Sequence, residues 1–166
     1  MDAALFLIAE IDAEIADRAF GRKTLQQLAY GAVAERDGAI LLVRDAAGGW
    51  MLPFVEKAEG DGIEALETGL SERTGLDARA GLLYSVYEDT KTGRQHVVYR
   101  ATLGAGSPDD GTFFQTGALP VDEVKDSAVR ELLKRFAAES TLGNFGVYFG
   151  NQEKGRVHVV AARGEA

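Results

Sequence analysis

Leu5, Ile8, Ile11 and Ile15 recur at three- and four-residue spacing between Glu10, Asp12 and Glu14, which places them on one stripe of a helix over residues 2–18. Such a stripe must dock on the chain's own core or on a partner, a second copy included. Two short apolar runs follow at 30–34 and 39–43, separated by Glu35-Arg36-Asp37-Gly38, in which Asp-Gly is a strong two-residue hairpin turn. After a loose Gly-rich stretch at 46–49 comes Trp50-Met51-Leu52-Pro53. Gly60-Asp61-Gly62 then leads into a helix that ends at Gly75. Residues 82–87 and 96–103 read as strands joined by the turn residues Thr90-Lys91-Thr92-Gly93. A polar loop at 104–111 precedes a last helix, N-capped by Ser127, with Val129, Leu132, Leu133 and Phe136 on its buried face. The runs 145–149 and 156–161 predict a third hairpin, which would join the domain's own sheet or pair two copies through an exposed edge.

Composition adds limits to this pattern. With 166 residues, 46% hydrophobic and 27% charged, the chain has the size and balance of one globular domain. No repeat and no low-complexity linker divides it. Its net charge of −8 opposes non-specific binding to nucleic acid or anionic lipid. No cysteine is present, so disulfides, thiolate metal sites and a Cys nucleophile are excluded. The apolar start at 3–9 is too short to span a bilayer and lacks a basic flank, so a cytoplasmic protein is expected.

The succession of hairpin, Trp50-Met51-Leu52-Pro53, acidic loop and a helix ending Leu70-Ser71-Glu72-Arg73-Thr74-Gly75-Leu76 resembles the Nudix family. The resemblance implies an α+β fold, a Nudix-type mixed β-sheet sandwiched between helices. Residues 30–139 would be the Nudix-like core of a single domain over 1–166, with 1–29 an N-terminal helical extension and 140–166 a C-terminal hairpin. The family's metal-binding helix is degenerate here. Phe54-Val55 stand where the family has a glycine pair, Gly69 where it has its first metal-binding glutamate, and Thr68 where it has an arginine. Glu72 keeps one carboxylate of a glutamate pair and Arg73 replaces the other. At 100° per residue Glu72 shares its face with Ala65, Thr68 and Gly69, so only Glu56, Glu59 and Asp61 of the loop could rescue a metal site. Glu64 and Glu67 read as solvated helix charges.

The resulting expectation is a Nudix-fold protein that binds a small molecule, a nucleotide or another diphosphate-containing compound, as an accessory or regulatory module without hydrolysis. Phe54, Glu56 and Arg73 are its candidate ligand-binding residues, and no cofactor is then required. The alternative is a divergent Nudix pyrophosphohydrolase of a nucleoside diphosphate linked to another group, with Glu72 and Asp61 catalytic and Glu72 holding Mg²⁺ or Mn²⁺. Arg73 either replaces in fixed form the charge of a lost cation or simply suits the helix C-terminus. Trp50, Phe54, Phe113 and Phe114 line a pocket for a planar base or belong to the core. His96 and His158, each in a strand-like run, fit no metal-ligand spacing, and no serine sits in a nucleophile-elbow motif.

Overall fold

The computed structural model describes residues 28–56, 62–88, 94–143, 145–151 and 156–163, with backbone alone from residue 147 onward. The predicted N-terminal helix, the turn at 90–93 and Asp61 lie outside the described residues.

Strands β1 (Leu28–Arg36) and β2 (Ala39–Arg44) form the predicted hairpin, with Glu35 opposite Ile40 and Arg36 opposite Ala39. Asp37 and Gly38 both take positive φ, 51° and 76°, the twist that a two-residue primed turn needs. Two very short strands follow, β3 (Trp50–Met51) and β4 (Phe54–Glu56). Helix α1 (Gly62–Thr74) leads to β5 (Ala78–Glu88), β6 (Gln95–Leu103) and β7 (Thr112–Gln115). Helix α2 (Ser127–Leu142) precedes the hairpin of β8 (Phe145–Asn151) and β9 (Arg156–Arg163).

All nine strands join one mixed sheet in the order β3-β2-β1-β6-β5-β8-β9, with β4 on β1 and β7 on β2. The pairs β1/β6 and β5/β8 are parallel and the rest antiparallel. Side chains alternate between its faces, as strand geometry requires. Ala32, Leu41, Val97 and Tyr99 pack with Leu66 and Leu70 of α1 on one side. Val33, Ile40, Leu42 and Val98 pack with Val129, Leu132, Leu133 and Phe136 of α2 on the other. The expected α+β sandwich is therefore present, and the C-terminal hairpin extends the chain's own sheet along β5.

Several boundaries differ from the sequence reading. Strands β4 and β7 were not expected, being short and, in β4, adjacent to a proline. Asp126, not Ser127, caps α2, its carboxylate accepting from the Val129 amide at 3.1 Å. Asp ranks with Ser as a cap, and two consecutive cap formers leave the choice to the local backbone. Gly75 does close α1, with φ +73° and its amide donating to Ser71 O at 2.8 Å.

Candidate functional site

Local packing around the former metal face begins with β4. Its backbone is extended and pairs with β1, placing Phe54 opposite Gly31, Tyr30 opposite Val55 and Ala29 opposite Glu56. Phe54 and Val55 thus turn what would be a tight glycine loop into a strand. Both side chains are received by glycines. A Cβ on Gly31 would overlap the Phe54 ring, and a Cβ on Gly69 would lie 3.2 Å from Val55 Cβ and overlap Cγ1. The ring of Tyr30 covers Gly62 at the start of α1 in the same way. Space that a glutamate at position 69 would need is filled by a valine.

The remaining acids of α1 do not rebuild a metal site. Glu72 and Glu64 are exposed. Glu67, expected to be a solvated charge, is half-buried and accepts from the Ala80 amide at 2.9 Å, tying α1 to β5. Among the described residues no group of three His, Cys, Asp or Glu side chains could hold a metal ion.

Beside this face lies a cleft of about 270 Å³, between the ends of β2, β3 and β4, the last turn of α1 and the start of β6. Phe54 and His96 form part of its wall. The His96 ring stacks on Tyr87 at 4.7 Å and 6°, and Phe54 meets it edge-on at 5.1 Å. Three arginines, Arg44, Arg73 and Arg94, share the lining with Asp45 and Glu56. Arg94 pairs with Glu56 at 2.7 Å, and Arg73 Nε donates to Asp110 at 2.7 Å. Arg44 lies 3.8 Å above the Trp50 ring and donates to Gly48 O at 2.8 Å. Asp45 is occupied structurally, its Oδ1 accepting from the amides of Ala47 and Gly49 at 2.9 and 2.8 Å.

Phe54, Glu56 and Arg73, the three candidate binding residues, are thus brought together in one cleft. Glu72 is not among its lining residues. Arg44, Arg94 and His96 were not named as site residues, although a cation at the end of one apolar strand and before the start of another was a signal open to reading. Trp50 and Phe114 pack edge-to-face at 4.9 Å against the α2-side core, and Phe113 lies under Arg36 at 4.1 Å, so only Phe54 of the four aromatics lines the cleft. A second cavity of about 280 Å³ sits over the irregular stretch of β5, lined by Ala80, Gly81, Leu82, Ala101 and Thr102 beside Glu35, Arg79 and Arg100. Both cations are paired: Arg79 with Asp77 at 3.6 Å, and Arg100 with Glu35 at 3.2 Å, its guanidinium covering the Phe145 ring at 3.6 Å.

In three dimensions the chain superposes on a Nudix hydrolase from Nitrosomonas europaea with a TM-score of 0.67 over 75% of this chain and 77% of that one, at 18% identity. The fold is Nudix-like. This Nudix-like chain also matches the crystal structure of a candidate oxidoreductase from Sinorhizobium meliloti, with a TM-score of 0.68 at 35% identity, over 80% of this chain and 46% of that one. In sequence it is 37% identical over 147 residues to a "Probable flavin reductase" of Rhizobium meliloti, covering 89% of this chain and 47% of the relative. It is 29% identical over 133 residues to the reductase component of a flavin-dependent trigonelline monooxygenase of Acinetobacter baylyi, covering 80% of this chain and 43% of that protein. The Nudix-like chain spans less than half the length of these two curated relatives. No family model matches it.

These findings correct the functional expectation. The hydrolase from Nitrosomonas europaea agrees in fold, whereas the chains that agree in sequence are named for flavin reduction. Both the accessory binding module and the divergent hydrolase are set aside, and with them the Mg²⁺ or Mn²⁺ requirement. Among the described residues no helix is long and apolar enough to cross a membrane.

Proposed function

We propose that this chain works in flavin reduction, its cleft holding a nucleotide used in that reaction, either the flavin or the nicotinamide donor. The single observation that carries the reading is the pairing of an aromatic wall, Phe54 and His96, with three arginines in the lining of one cleft. A flavin or nicotinamide nucleotide has the matching halves, a planar ring system and phosphate. The likeness in sequence to a protein named as a probable flavin reductase, and to one named as the reductase component of a flavin-dependent monooxygenase, supports the same assignment.

A flavin and a dihydronicotinamide would supply the chemistry, a two-electron reduction of the flavin by hydride with one proton from solvent, and this cleft would hold one of the two. The chain's own residues bind and orient. Arg44, Arg73 and Arg94 offer charge-assisted donors to phosphate oxygens. Phe54 is fixed by its seat on Gly31 and His96 by its stack on Tyr87, so the wall they form is preorganised. At about 270 Å³ the cleft is at the lower end of ligand pockets, which run from roughly 300 Å³ upward. It therefore accommodates part of one nucleotide rather than two stacked ring systems.

Anaerobic incubation of the purified chain with NADH or NADPH and FAD or FMN tests the reading. The expected result is bleaching of oxidised flavin beyond the rate without protein. Absence of both bleaching and flavin or nicotinamide nucleotide binding overturns it.

A further inference from the structure

We infer that Arg73 and Arg94, with Arg44 at the rim, form a clamp for the diphosphate of a dinucleotide that works without a divalent cation. The inference rests on the proposed role in flavin reduction for the identity of the nucleotide, and on the cleft's own geometry for the clamp.

Two observations favour fixed guanidinium charge over a bound metal. Val55 fills the space beside Gly69, and Glu72 is exposed and away from the cleft lining. Three arginines line the cleft, beside Asp45 and Glu56 of the lining and Asp110 paired with Arg73, in a chain whose net charge is −8. Arginines gathered at one place in an acidic chain are a feature of an anion site.

The three cations come from separate elements, the end of β2, the last turn of α1 and the residue before β6. In the structure Arg73 rests on Asp110 and Arg94 on Glu56, whose side chains are 48% and 72% exposed. Ion pairs that open to solvent contribute about 1 kcal/mol or less, so a phosphate can displace these carboxylates at small cost. Guanidinium binds phosphate through two parallel N–H donors. Two such forks use four oxygens. A phosphate monoester such as FMN offers three free oxygens, while the diphosphate linking the halves of FAD or NAD(P)H offers four. The stoichiometry selects a diphosphate over a phosphate monoester.

Calorimetric titration of the chain in EDTA with FAD, FMN and ADP tests the clamp. FAD and ADP should bind, FMN should bind about tenfold or more weakly, and Mg²⁺ should not tighten any of them. Arg73→Gln and Arg94→Gln should each weaken FAD and ADP by about tenfold to a hundredfold, as loss of a charge-assisted hydrogen bond does. Glu72→Gln should bind as the unaltered chain does. Equal affinity for FAD and FMN, a requirement for Mg²⁺, or unaltered binding by both arginine variants overturns the inference. The FAD against FMN comparison needs no variant and stands even where a substitution impairs folding. ADP and FAD binding through the arginines with no flavin reduction would sink the flavin reading while leaving the clamp intact.

Discussion

Val55 and Gly69 are complementary: the valine Cγ1 occupies the position that any side chain at residue 69 would take. One sits on β4 and the other on α1, so the pair also sets how closely helix and sheet approach. Restoring a glutamate at 69 therefore does not restore the Nudix metal face. Gly69→Glu should destabilise the chain by about 1 to 3 kcal/mol through overpacking, read from the urea midpoint. In a Val55→Gly background the added cost of Gly69→Glu should largely disappear, a coupling that a double-mutant cycle measures. Strictly additive effects would mean that the two residues do not share this space.

Glu139 joins α2 to the terminal hairpin. The residue is 8% exposed, its Oε1 accepting from the Tyr84 hydroxyl at 2.8 Å and its Oε2 from the Gly146 amide in a short hydrogen bond. Glu139→Leu should remove the acceptor that Glu139 offers to the Tyr84 hydroxyl and the Gly146 amide, at roughly 1 to 3 kcal/mol each. Amide exchange at Gly146 should quicken more than at Val98 in the centre of the sheet. Unchanged protection at Gly146 would refute the linking role.

Much of the fold was legible because periodicity and turn chemistry are local. Asp37-Gly38 announced a hairpin, Gly75 a helix end, and Leu132, Leu133 and Phe136 a buried face, and all three stand as read. The short strands β4 and β7 were not legible, because their identity comes from pairing with β1 and β2 and not from their own three or four residues. In the cleft, Phe54, Glu56 and Arg73 were singled out through the family resemblance, Phe54 and Glu56 before its helix and Arg73 within it. Arg44, Arg94 and His96 lie outside that motif and reach the cleft only through the parallel pairing of β1 with β6 and the turn after β2. The departure from the family motif at position 69 was visible as a glycine in place of a carboxylate, whereas the packing of Val55 against that glycine required the structure to be seen.

Asp126 and Ser127 separate two explanations of how α2 starts. The Asp126 carboxylate takes the Val129 amide, and Ser127 is the first residue of the helix. Asp126→Ala should cost about 1 kcal/mol, and Ser127→Ala should stay within about 0.5 kcal/mol of the unaltered chain. Thermal or urea unfolding of the two variants side by side checks this. The reverse order would return the cap to Ser127.

Trp50 is the only tryptophan in the chain, and the Arg44 guanidinium lies 3.8 Å from its ring. A charge so close to the indole makes its fluorescence a reporter on whatever Arg44 binds. Because Arg44 is exposed, the contact itself contributes only about 0.5 to 1 kcal/mol, and a phosphate competing for the guanidinium can alter it. ADP, which does not absorb where tryptophan emits, should shift or quench Trp50 emission with the same midpoint as the calorimetric titration. Arg44→Ala should change the emission of the free protein, remove most of the response to ADP, and leave the unfolding midpoint nearly unchanged. Were the response to survive intact in Arg44→Ala, the phosphate would be sitting away from the rim, nearer Arg73 and Arg94 alone.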